Sequence, residues 1–320
     1  MNCGSCAGSE TCGGGGKANI CGGGCPKPAG QICHEFFALD NSSRHNVLYV
    51  NEFDPSQNWS STVSGTNLYS PHSLEIVSNA AGKAGRALLL SVENGYVEVD
   101  PDNKGAVLVR VAFAEAGTNV SGASRLPDGN TALGNLANIT IVTPAGRKVV
   151  DLPLVSGTSL RTIRRQTSTG NFLYTLSPTT CPGCFSIYEM SPSGAPLWSA
   201  SLGAGAKGYS GWWRDGGGVY ATTGESARVV TIDSTGAIIA SIIGTTATDG
   251  AGNTPPVDFF AGFMRVPNGD FVVANWLGHA SGQALGDVAQ LIEYAPNNKV
   301  VWTYGTKAWA TQTVDVLVIR

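Results

Sequence analysis

The feature that most constrains this chain is a repeat that runs through most of its length. Arg125-Leu-Pro-Asp-Gly-Asn130, followed by TALGNL and then ITIVTPAGRKVVDL, is echoed by Arg265-Val-Pro-Asn-Gly-Asp270, FVVANW and LIEYAPNNKVVWTY. Between these two lie STGNFLYTL with SIYEMSPSGAPLWSASL, and RDGGGVYATT with RVVTIDSTGAIIASI. Each unit reads strand, tight Gly turn, strand, loop, strand, Pro- or Asp-led Gly turn, strand. The glycines of the first turns, Gly129, Gly170, Gly217 and Gly269, are 41, 47 and 52 residues apart. Four short strands in every 40–50 residues cannot bury an apolar face alone, so neighbouring units must stack. Helical periodicity is nowhere sustained.

Stacked four-stranded units of this length describe an all-β fold, a β-propeller. RALLLSVENGYVEVDPDNKGAVLVRVAF (86–113) supplies one more unit, with a turn at Pro101-Asp-Asn. CHEFFALD (33–40) and NVLYVNEFDPSQNWSSTV (46–63) read as the later strands of a blade that lacks its first, while TQTVDVLVIR (311–320) reads as a first strand with nothing after it. Joining the ends makes a composite closing blade and leaves no exposed sheet edge where the ring closes. The expectation is one six-bladed β-propeller over 33–320, preceded by a Cys/Gly-rich extension, 1–32.

The repeat pieces R-x-P-D/N-G-N/D before a strand, a strand ending in Ala-Asn, and an aliphatic-x-x-x-Pro-x-Gly/Asn-x-Val-Val-Trp run resemble those of PQQ-like and arylsulfotransferase-like β-propeller proteins. The resemblance covers about residues 33–320 at the level of blade architecture. It implies the fold. Arylsulfotransferases of that type use a catalytic His assisted by further His and Arg in the funnel, and this chain has His only at 34, 45, 72 and 279. The vicinal Cys and calcium set of PQQ enzymes are not visible, so no catalytic residue carries over and neither cofactor nor metal is expected.

The extension holds Cys3, Cys6, Cys12, Cys21 and Cys25, with Cys33 just beyond, and the remaining pair is Cys181-Pro-Gly-Cys184. An even total of eight fits three N-terminal bridges and one local loop bridge. A four-thiolate zinc site from Cys3, Cys6, Cys21 and Cys25 is the alternative. The extension lacks the charged and apolar regions of a secretory signal. A Gly-rich segment of this kind is expected to be held by disulfides, a metal or a neighbouring subunit.

Charge narrows the function. Twenty basic against 23 acidic residues give −3 with no basic block, which excludes a phosphate-backbone binder. No apolar run approaches 18 residues, so no helical membrane span is expected. Four N-x-S/T sequons, at Asn41, Asn58, Asn119 and Asn138, are candidate glycosylation sites and, with the cysteines, point to an extracellular or cell-surface location. Asp249-Gly-Ala-Gly-Asn253 only faintly resembles a calcium loop. Trp212, Trp213, Arg265, Trp276 and His279 are the candidate ligand-binding residues, set against packing between blades for the indoles and a backbone-bonded loop role for His279. Acid–base candidates are dispersed. The favoured reading is an extracellular structural protein that assembles with other copies of itself through residues 1–32, into an oligomer or filament. A glycan- or ligand-binding propeller, and a sulfotransferase-like or lactonase-like enzyme, are the alternatives.

Overall fold

The computed structural model describes residues 11–12, 21–22, 25–27, 31–42, 44–63, 71–81, 85–113, 119–154, 158–178, 186–203, 206–278, 288–305, 310 and 312–320. Six four-stranded antiparallel sheets form the blades of a β-propeller. The closing blade is composite as expected: Thr313–Val318 from the C-terminus is its inner strand, followed outward by Glu35–Asp40, Asn46–Asn51 and Trp59–Thr62. The inner strands of the first to fifth blades are Pro71–Val77, Gly122–Arg125, Thr158–Arg165, Gly211–Trp213 and Phe260–Arg265. Pro71–Val77 went unrecognised in the repeat, because PHSLEIV is led by Pro and His and carries a register shift that breaks its alternation.

In each blade the outermost strand is the least buried, and the composition follows it. In the first blade Ala87–Val92 and Gly95–Asp100 are buried throughout, whereas the outer strand Ala106–Ala112 is largely open. Strands covered on both faces read as continuous apolar runs such as ALLLSV, and half-covered ones alternate. The core therefore sits between blades. Leu133 packs with Leu89 and Tyr96 across the first seam, and Leu160 and Ile163 with Ala132 and Ile139 across the second. Each fully buried Phe or Leu contributes about 1.5–3 kcal/mol, so the ring is held by side chains wedged between sheets.

The N-terminal segment is sewn onto the seam where the ring closes. Cys25 and Cys33 form a disulfide, so the alternative zinc site that needed the Cys25 thiolate does not stand. Between them Lys27 Nζ lies 2.6 Å from Glu52 Oε1 of the closing blade. The other Glu52 oxygen accepts from His34 N at 2.8 Å and from Trp302 Nε1 of the fifth blade at 3.0 Å. His34 Nε2 meets Glu293 Oε2 at 2.8 Å, both side chains buried. Thr11–Cys12 and Cys21–Gly22 form a two-stranded ribbon that sets Cys12 opposite Cys21. Cys3, Cys6, Cys181 and Cys184 lie outside the described residues. Among the described residues no helix is long and apolar enough to cross a membrane.

Candidate functional site

All six inner strands start at the same end of the ring, and four shift register against their neighbours. The shifts fall between Pro71 and Ser73, Leu160 and Thr162, Phe260 and Phe263, and Thr313 and Asp315. A bulge leaves a residue unpaired and re-aims its side chain. The residues so released include His72 in the first blade and Arg161 in the third, and both line a cavity of about 110 Å³ at this end of the central channel. Its other walls are Ser177 of the third blade's second strand and, from loops, Asn41 of the closing blade, Lys207, Tyr209 and Glu225 of the fourth, and Phe259 and Trp276 of the fifth.

The walls differ in chemistry. Tyr209, Phe259 and Trp276 form an aromatic chain, edge to face, with centroids 5.2 and 5.3 Å apart. Edge-to-face contact is the arrangement that ring quadrupoles favour. Trp276 Nε1 donates to Asn41 Oδ1 at 2.9 Å, pinning the indole across the seam to the closing blade. The Tyr209 carbonyl accepts from Thr162 Oγ1 at 3.0 Å and Thr175 Oγ1 at 2.5 Å, which fixes the fourth blade's loop against the third. Lys207 and Glu225 form an exposed pair at 3.1 Å. Arg161 makes no ion pair with a described carboxylate. Burial, and then the positive charge of Arg161, push the His72 imidazole down to about 4, so at neutral pH it is an uncharged donor and acceptor beside a free guanidinium.

Deeper in the channel the charges are spent on structure. Asp315 is buried, its Oδ2 accepting from Leu74 N at 2.9 Å and its Oδ1 from Val316 N at 3.0 Å. Burial raises its pKa. Arg164 Nη2 stands 3.9 Å from it, and the guanidinium lies 3.8 Å from the Trp212 ring centroid. Gly262 passes so near that a Cβ there would meet Asp315 Oδ1 at 2.0 Å.

The five candidate ligand-binding residues are not gathered at one place. Trp276 is in the mouth. Trp212 is held under Arg164, its Nε1 donating to Phe263 O at 2.8 Å. Trp213, one residue on, lines a different cavity among the third- and fourth-blade turns. Arg265 is exposed at the far end of its inner strand, 5.4 Å over Tyr220. His279 lies outside the described residues. Of the sequons, Asn41 forms part of the mouth, Asn58 Oδ1 accepts from Asn51 N at 2.7 Å, Asn119 is exposed at φ 95°, and Asn138 opens the third strand of the second blade. In the 249–253 loop the Asp249 carboxylate accepts from Ala251 N and Asn253 N, so it closes its own turn. Arg161, Lys207 and Tyr209 escaped the sequence reading, in which His72 stands only as one of four histidines and Glu225 only as one of the dispersed carboxylates. Their only signal is position, at the start of an inner strand or in the loop after a second strand, where all such loops converge.

No protein-family model matches the chain, and no curated protein matches it. Solved structures do. A Bacteroides caccae protein of unknown function is 21% identical, with a TM-score of 0.68 over 90% of this chain and 100% of that one. A periplasmic gluconolactonase of Pseudomonas aeruginosa is 11% identical, with a TM-score of 0.55 over 90% and 99%. A catalytically inactive virginiamycin B lyase of Staphylococcus aureus with quinupristin is 12% identical, with a TM-score of 0.54 over 86% and 85%. Similarity at this level of identity establishes the shared propeller fold.

Proposed function

We propose that this propeller is a ligand-binding protein whose mouth takes the anionic head group of a small organic molecule. One observation carries the reading: a bulge places Arg161, which has no carboxylate partner among the described residues, on the wall of a small open cavity beside neutral His72 and opposite an aromatic wall. A guanidinium is suited to a carboxylate or similar oxyanion, which it meets with two parallel hydrogen bonds. The Tyr209–Phe259–Trp276 wall suits an apolar stem. Neighbouring folds that include a gluconolactonase and a lyase are compatible with a small-molecule site here; the mouth as described supplies recognition groups rather than a nucleophile–base pair.

Calorimetric titration with a panel of alkyl and aryl carboxylates tests this. At least one should bind at millimolar concentration or tighter, and Arg161→Ala should weaken it at least tenfold. If no carboxylate binds, or Arg161→Ala binds it unchanged, the reading fails.

A second reading concerns assembly. The Cys25–Cys33 bridge and the Lys27–Glu52 pair give the extension a rigid root beside a groove of about 750 Å³. That root favours residues 1–24 as an arm that docks on another copy outside the cell, where disulfides persist. Light scattering of the chain with and without residues 1–24 checks it: a species whose mass does not change on truncation rules the arm out.

A further inference from the structure

A glutamate recurs at one register position on the third strand of three blades, and at one of these seams it meets no cationic side chain among the described residues. The last residue that each inner strand pairs with its neighbour is Arg125 in the second blade, Arg165 in the third, Trp213 in the fourth and Arg265 in the fifth. On the third strand, the residue just before the register shift is Glu98 in the first blade, Glu189 in the third and Glu293 in the fifth. Glu98 receives the Arg125 guanidinium across the first seam, and both are buried. Glu293 meets no Arg, because the equivalent position of the closing blade is Val318. The N-terminal segment fills that niche instead. His34 bonds the carboxylate and stands edge-on to Trp302 at 4.8 Å, with Lys27 5.9 Å from the same ring.

Glu189 has neither substitute. Arg125's register position is occupied by Trp213, whose indole N–H is buried without a partner among the described residues. One Glu189 oxygen accepts from Asn171 Nδ2 at 2.7 Å, and the carboxylate makes no ion pair with a described residue. In front of it lies a cavity of about 490 Å³, bounded by Trp198, Trp213, Arg214, Asp215 and a run of three glycines. Trp198 holds the same register opposite Glu189 that Trp302 holds opposite Glu293. Trp302 is buried under its niche's occupant, whereas Trp198 is only half-buried. Gly216 and Gly217, at φ +84° and +95°, leave the rim of the cavity bare of side chains.

We propose that this cavity is a binding site for an organic cation of the guanidinium or ammonium type. The two completed niches name the chemistry, since a guanidinium or an imidazole on the carboxylate fills each of them, with an ammonium over the ring in one. Two carboxylates against Arg214 leave the cavity one negative charge in excess. Two indole rings line the cavity, and an indole attracts a cation to its face, as Trp212, beside Trp213 in sequence, does with Arg164. This site lies away from the mouth and does not depend on the reading given for it.

The test is titration of the full chain with methylguanidine and with methylurea, which has similar shape and hydrogen bonding but no charge, followed by tryptophan fluorescence and thermal midpoint. Methylguanidine should give a saturable change in the millimolar range, and methylurea none. Glu189→Gln should weaken binding at least tenfold. Trp213→Arg restores the residue that the second blade carries, and should abolish binding while raising the midpoint. Equal responses to the two probes, or binding unchanged in Glu189→Gln, overturn the proposal. Comparing a blocked Gly-Arg-Gly peptide with its citrulline counterpart then separates the sources. Arginine-dependent binding more than tenfold tighter than methylguanidine identifies a protein side chain as the occupant, and equal binding identifies a free small molecule.

Discussion

The Glu98–Arg125 pair offers the sharpest test of how the seams are held. Glu98 is fully buried and Arg125 nearly so. Glu98 Oε2 also accepts from Ala81 N at 2.7 Å, and Arg125 Nη1 donates to Gly129 O at 2.6 Å. The guanidinium lies 5.6 Å from the Tyr96 ring centroid. Replacing Arg125 by Met keeps much of the stem's packing but strands a carboxylate in the core with the Ala81 amide beside it. Breaking one side of such a pair costs about 3–5 kcal/mol, whereas replacing both sides with apolar groups is often neutral. With an unfolding entropy of about 2.1 cal/mol/K per residue, a ring of roughly 290 residues changes its midpoint by about 1.6 °C per kcal/mol. Arg125→Met should therefore lower the thermal midpoint by about 5–8 °C. The double variant Glu98→Leu with Arg125→Met should recover to within about 2 °C of the parent. A loss under about 2 °C in the single variant, or a double variant as weak as the sum of the singles, would refute the view that the pair acts as one desolvated unit.

Three further outcomes follow from other parts of the ring. His72 is held neutral, with its folded pKa of about 4 below the ordinary imidazole value of 6.5, so its contribution to stability is present above about pH 6.5 and is lost as pH falls toward 4; the parent's midpoint should fall more steeply over that window than that of His72→Asn, and parallel curves would count against it. Removing the Cys25–Cys33 bridge, which closes a loop across a sequence separation of 8, should cost about 2.5 kcal/mol by loop entropy; a Cys25→Ser, Cys33→Ser variant with an unchanged urea midpoint contradicts this. Gly262→Ala would place a Cβ 2.0 Å from Asp315 Oδ1 and 2.7 Å from its Cα, so overpacking of at least about 1–3 kcal/mol is expected, and a variant as stable as the parent in thermal melts would show that the two strands can part.

Much of the fold was legible because it is written in short-range signals. Turn glycines at 129, 170, 217 and 269, and strands such as FVVAN and IIASII, declare themselves within a few residues, and the orphan strand TVDVLV asks for a partner that EFFALD lacks. A strand in a ring must be paired on its buried edge, so blade number and composite closure follow from local pattern alone. The site was not legible by the same means. His72 and Arg161 face the channel because bulges turn them there, and nothing in PHSLEIV or TSLRTIRR announces the extra residue.

Tertiary structure also decided the fate of the tryptophans. Adjacent in sequence, Trp212 and Trp213 point to opposite sides of one strand, and so to different tasks, because successive side chains on a strand alternate. Trp276 belongs to the mouth only because Asn41, 235 positions earlier, arrives across the closing seam to take its N–H. The unfilled niche at Glu189 is visible only when blades are superimposed by register, since the Trp that occupies Arg125's position looks, in sequence, like one more apolar residue. The chain by itself determines that there are six blades and how they close. Which polar groups meet in the channel and at the seams is determined by contacts between residues far apart in sequence, and those contacts exist only once the ring is shut.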